Sequence, residues 1–86
     1  MTAEDLDLLE RAVDHIVAIE LVSGEQFFAE VVIVVDQPPT PDVFLLRVNR
    51  EPDGAFTAIE TAGESFLLAD ICRVAPLPGV DYPPAS

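Results

Sequence analysis

From His15 onward the apolar residues recur with a period of two. His15, Val17, Ile19 and Leu21 share one face of an extended chain, and Ile16, Ala18, Glu20 and Val22 share the other. A helix would repeat its apolar stripe every three or four residues, so this stretch predicts a strand. Ser23-Gly24-Glu25 is a tight turn, with Gly24 free to take a positive φ. Gln26 to Val35, reading QFFAEVVIVV, is a second strand rich in β-branched and aromatic residues. Its second half, VVIVV, is apolar on both faces. It therefore lies under a helix, bends between two halves of a barrel, or forms an interface between copies.

The prolines bound the strands. Asp36 to Asp42, reading DQPPTPD, holds three of the eight prolines and is a stiff exposed loop. Alternation resumes over Val43 to Arg50. Glu51-Pro52-Asp53-Gly54 is a hairpin turn, with Pro and Gly at the positions that suit them. Ala55 to Thr61 is the return strand, and Ala62-Gly63-Glu64 turns again. Ser65 to Leu68 is a short strand, Ala69-Asp70-Ile71 a single helical turn, and Cys72 to Leu77 a last strand. None of the eight prolines interrupts a strand interior; Pro76 lies at the end of the last strand.

Residues 2–12 read as a helix. Thr2 precedes Ala3, Glu4 and Asp5, close to a capping box, and the early acids suit the positive end of the helix dipole. Leu6, Leu9 and Val13 keep helical spacing, widened by Leu8 and Ala12. So short a helix needs a packing partner. Residues 1–77 form one domain, and the Pro-rich 78–86 an extended or disordered tail.

The expected fold class is mainly β, a small antiparallel barrel of about five strands with a short N-terminal helix. The run Val17, Ile19, Leu21, Ser23-Gly24-Glu25, Phe27, Ala29 and Val31, with the closing FLLADICRVAPL, resembles the SH3-like and Sm-like small barrels. In outline the chain is similar to the Rho-binding transcription antiterminators, which are also small and acidic with a helix before the barrel. That resemblance covers roughly residues 2–77 and implies a regulator that masks a basic nucleic-acid-binding site on a partner protein. Two positions depart from the Sm pattern. Ala29 stands where Sm strands usually carry glycine, and Leu67-Leu68-Ala69-Asp70 replaces the Arg-Gly pair of the RNA-binding motif. The likeness thus implies the Sm fold without Sm-type RNA binding.

Charge narrows the function. Sixteen acids against four arginines give a net charge of −12, on a chain that is half apolar. The apolar content argues against disorder. The acidity argues against direct nucleic-acid binding, which needs a basic face to displace counterions. One cysteine excludes an internal disulfide, and the acidic MTAEDLDLLE start is unlike a signal peptide, so a cytoplasmic protein is expected. No apolar run reaches the ~18 residues of a membrane span.

Catalytic groups are sparse. His15 is the single histidine, with no second His or Cys cluster to complete a transition-metal site, and reads as a surface or capping residue. Cys72, between Ile71 and Arg73, reads as a core thiol. The four glycines punctuate turns, and neither a phosphate loop nor a nucleophile elbow is present. No enzyme activity and no cofactor are expected. The expected role is an acidic protein-interaction module, with a structural homo-oligomeric assembly subunit as the alternative. The expected contact residues are Asp36, Asp42, Glu51 and Asp53 in the acidic loops, and Phe28. Phe27 and Phe28 point to opposite faces, so one is core; the other lies under the helix or is exposed, where it would mark an interface.

Overall fold

The computed structural model describes residues 1–37, 41–58 and 63–84. Helix α1 spans Ala3–Arg11. Thr2 caps it: its Oγ1 accepts from the Asp5 N–H at 3.1 Å, and Asp5 Oδ2 accepts from the Thr2 N–H at 3.2 Å. Arg11 pairs with Asp7 one turn earlier at 3.0 Å. The helix buries Leu8 and Leu9, and Ala12 is buried just beyond it.

Past the helix, Asp14 takes φ 69°, a left-handed turn that a short polar side chain tolerates. This lays residues 13–15 along the second strand. The Asp14 N–H donates to the Val31 carbonyl at 2.8 Å, and the Val31 N–H to the His15 carbonyl at 3.0 Å. The N–H of His15 donates to the Ala12 carbonyl. The first strand accordingly begins at Ile16, one residue later than the alternation suggests.

The sheet has six strands: β1 Ile16–Leu21, β2 Gln26–Val35, β3 Asp42–Arg50, β4 Phe56–Ala58, β5 Glu64–Leu67 and β6 Ile71–Ala75. All pairings are antiparallel, in the order β4-β3-β2-β1-β6. β5 joins the first half of β3, at Asp42–Leu45, and β4 joins its end, at Val48–Arg50. Asp42 thus belongs to β3 rather than to the preceding loop. The rest of that loop (38–40) and the end of the expected fourth strand (59–61) lie outside the described residues.

The chain is mainly β with a short helix, as expected, but the barrel is not closed. Among the described residues no ladder joins β4 or β5 to β6. A 3-10 turn, Leu68–Asp70, carries the chain from one edge to the other, and its Leu68 side chain enters the core. The turn is held on both sides by backbone hydrogen bonds: the Leu68 N–H donates to the Pro41 carbonyl at 3.0 Å, and the Asp70 carbonyl accepts from the Val22 N–H at 2.9 Å.

Leu9 of α1 forms the buried centre with Ile19, Leu45, Ile71, Val17, Val31 and Val43 of the sheet. No polar side chain is buried among the described residues. Two bulges decide which residues reach it. In β2–β3 the register runs Val31↔Leu45 and then Ile33↔Phe44, leaving Val32 unpaired. In β1–β6 it runs Glu20↔Arg73 and then Leu21↔Ile71, leaving Cys72 unpaired. Each extra residue reverses the facing of the residues beyond it. Val34 therefore packs on the core while Ile33 and Val35 face outward, and Ile71 and Val74 are buried while Cys72 and Arg73 are exposed. This corrects the reading of Cys72 as a core thiol.

Beyond β6, residues 78–84 form neither helix nor strand, yet Tyr82 ties them down. Its hydroxyl donates to the Ile16 carbonyl at 2.6 Å and accepts from the Leu77 N–H at 3.1 Å. Its ring packs against the core beside His15.

Leu9→Ala should lower stability by about 2–5 kcal/mol in urea unfolding, because the helix has no other fully buried leucine. Tyr82→Phe should cost about 1 kcal/mol and expose the tail to limited proteolysis first.

Candidate functional site

β3 separates the expected contact residues into two groups. Asp36 comes directly after β2, and Asp42 opens β3. Glu51 and Asp53 lie in the turn beyond the far end of β3, whose Asp42–Arg50 length is about 26 Å at ~3.3 Å per residue. These acids therefore do not form one patch. Glu51 accepts from the Thr57 hydroxyl at 2.8 Å, and Asp53 from the Ala55 N–H at 2.9 Å. Both acids shape their own hairpin. Phe28 belongs to this end: it is half-buried on the outer face, opposite Val48, with its ring edge-on to Phe56 at 5.5 Å. It is neither core nor under the helix. Phe27, on the other face, packs against the core.

The Asp42 end is different. The register places Asp42 between Val35 of β2 and Leu67 of β5, and Phe44 between Ile33 and Ser65. Ile33, Val35 and Leu67 are exposed by 55%, 40% and 45%, unusual for aliphatic side chains in a sheet. Phe44, Leu46 and Phe28 on this face are better covered. Gly63 sits against the Phe44 ring and Leu46 so closely that a Cβ there would lie 2.5 Å from Phe44, and Phe56 covers Phe28. An apolar island is thus left at the end of β2. Asp42 stands inside it and Asp36 on its rim, and Asp36 also lines a hollow with Glu10, Val32 and Val34. Among the described residues neither Asp36 nor Asp42 has a cationic partner. The VVIVV run signalled that some of these residues would need cover. The bulge at Val32, which selects Ile33 and Val35, has no signal in the sequence.

A second cluster occupies one end of the core. Arg47 lies on the same face of β3 as Val43 and Leu45, and its side chain is 23% exposed. Its guanidinium sits 4.1 Å from the centre of the Phe27 ring. It donates from Nε to Glu64 at 2.6 Å and from Nη1 to Glu25 at 3.0 Å. The Arg47 hydrogen bonds hold the Glu25 carboxyl below its ordinary range, and the Glu25 hydrogen bond, foremost, raises Arg47 further. The cluster joins the β1–β2 turn, β3 and β5, and its one guanidinium bridges two carboxylates.

Neither His15 nor Cys72 is gathered into a cluster. His15 Nδ1 lies 2.9 Å from the Val13 carbonyl, in the helix–strand connection. Cys72 is a free, exposed thiol at the β6 bulge. No group of three or more His, Cys, Asp or Glu side chains is arranged to hold a metal ion among the described residues. No helix among them is long and apolar enough to cross a membrane.

Comparison with protein-family models, curated proteins and solved structures gives no match.

A depressed folded-state pKa stabilises above the ordinary carboxylate range, and that contribution is lost as pH falls through the folded value. In an NMR titration Glu25 should therefore titrate below a free glutamate. Arg47→Met should return it toward the free value, and an unchanged Glu25 midpoint would count against the clamp.

Proposed function

We propose that this chain is a non-enzymatic, acidic protein-interaction module that docks a basic protein partner on the Ile33–Val35–Leu67 island. The observation that carries this reading is an exposed aliphatic group with Asp42 in its midst and Asp36 at its rim. An apolar centre with unpaired charge around it is the anatomy of a docking patch. The sign of that charge selects a partner whose contact surface is basic, and a chain of net charge −12 steers such a partner from a distance.

The regulatory form of the proposal is that the partner's basic surface is a nucleic-acid-binding site, which docking masks. A meander whose last strand returns through a 3-10 turn to pair with the first supports the SH3-like or Sm-like reading of the fold. It is compatible with the outline similarity to Rho-binding antiterminators. The single free thiol fits a reducing, cytoplasmic setting.

Self-assembly through sheet edges is less favoured. Two copies would bring −12 against −12. The β6 edge, unpaired among the described residues, carries a bulge and Arg73, and β5 is four residues long with Glu64 in it. Short, bulged and charged edges resist strand addition.

Affinity capture with wild-type and Leu67→Ser baits should yield a basic protein held only by the wild type. Titration of the purified pair should weaken at least about tenfold between ~50 and ~500 mM salt. Val35→Ser should weaken it further with no change in the circular dichroism spectrum. Affinity that is flat in salt and indifferent to both substitutions would sink the proposal. Concentration-dependent dimers in light scattering would favour the assembly reading instead.

A further inference from the structure

β5 is held to the sheet by little backbone. It is four residues long, and among the described residues it pairs with β3 alone. The register places Ser65 and Leu67 on the outer face, opposite Phe44 and Asp42. Glu64 and Phe66 take the core face, opposite Leu45 and Val43. The far end of the strand is anchored by Leu68, whose side chain enters the core and whose N–H donates to the Pro41 carbonyl. The near end is anchored by Arg47. Its Nε reaches Glu64 at 2.6 Å, and its guanidinium lies 4.1 Å from the centre of the Phe27 ring and 5.9 Å from that of Phe66. The two rings are 5.8 Å apart. Both core-facing side chains of β5 thus meet one cation.

The same cation takes Glu25, from the β1–β2 turn, at 3.0 Å. Two carboxylates distant in the chain therefore converge on one guanidinium. With Arg47 removed they face each other as like charges, and β5 is pushed away from the β1–β2 turn. We propose that Arg47 is a positioning residue for the docking island. It latches β5 onto the sheet, and Leu67 stands beside Asp42 only while that latch is closed. The inference rests on the reading of Ile33, Val35 and Leu67 as the docking patch, and it names what holds that patch together.

Amide exchange in the ¹⁵N-labelled protein reads the latch without a partner. Rungs of an antiparallel ladder alternate between pairs with and without hydrogen bonds. Counted from the Leu68–Pro41 hydrogen bond, Phe66–Val43 and Glu64–Leu45 are hydrogen-bonded pairs, and Leu67–Asp42 is a close pair without hydrogen bonds. Arg47→Met should quicken exchange of the Glu64, Phe66 and Leu45 amides at least about tenfold relative to Val17 and Ala29 in the β1–β2 ladder. It should also weaken the Hα–Hα Overhauser contact between Asp42 and Leu67. Adding Glu25→Gln and Glu64→Gln to Arg47→Met removes the repulsion and should return the three amides to within about threefold of wild type. A side chain that only filled space would not be rescued in this way. Glu64→Gln alone is read if Arg47→Met loses its fold, and should quicken the same amides about threefold. Unchanged β5 exchange in a folded variant, an undiminished Asp42–Leu67 contact, or no rescue by the two glutamines would overturn the proposal. A failed affinity capture speaks against the docking reading and leaves these exchange rates untouched.

Discussion

The backbone of Val31 is the joint on which this structure turns. On one side it pairs with Leu45; on the other it exchanges hydrogen bonds with residues 14 and 15, where the chain leaves the helix. Its side chain is fully buried. One residue therefore docks the helix, extends the sheet and supports the core. It can do so because Asp14 adopts a left-handed turn and because the strand bulges immediately afterwards. Without the turn, residues 13–15 could not reach β2, and α1 would lose the seat in which its Leu8 and Leu9 are buried.

The bulge has a further consequence. A nine-residue helix covers only one face of the sheet, while VVIVV is apolar on both. The structure resolves that conflict incompletely. Val31 and Val34 go inward, Val32 remains at the bulge, and Ile33 and Val35 are left outside. Both are already about half covered, so burying what remains is worth on the order of 1 kcal/mol each. The same sheet surface carries Asp42, opposite Val35 and Leu67. Arg47, by contrast, uses its charge inside the fold, leaving Arg50 and Arg73 as the arginines outside ion pairs among the described residues.

Local features were legible in the sequence. The Thr2–Asp5 capping box, the Ser23–Glu25 and Glu51–Gly54 turns and the full extent of β2 arise from side-chain chemistry within a few residues. The mainly-β class was legible from alternation and from the placement of prolines. Barrel closure was not, because it depends on the distance between two edges that only the folded chain brings near. The positions of the expected contact residues were legible only in part. Asp36 and Asp42 do border the exposed apolar group, whereas Glu51 and Asp53 are engaged in their own turn and Phe28 leans on Phe56.

The sequence by itself determined where the chain must be helical, extended or turned, and that its surface is acidic. These are local or additive properties. Only the tertiary structure decided which face each residue occupies. Strict alternation puts Ile33 and Val35 beside Val31, and Arg73 beside Ile71. A single unpaired residue, Val32 in one strand and Cys72 in another, reverses both assignments. The period of a strand is two, so one inserted residue exchanges core for surface, and its position is set by packing against strands distant in the chain.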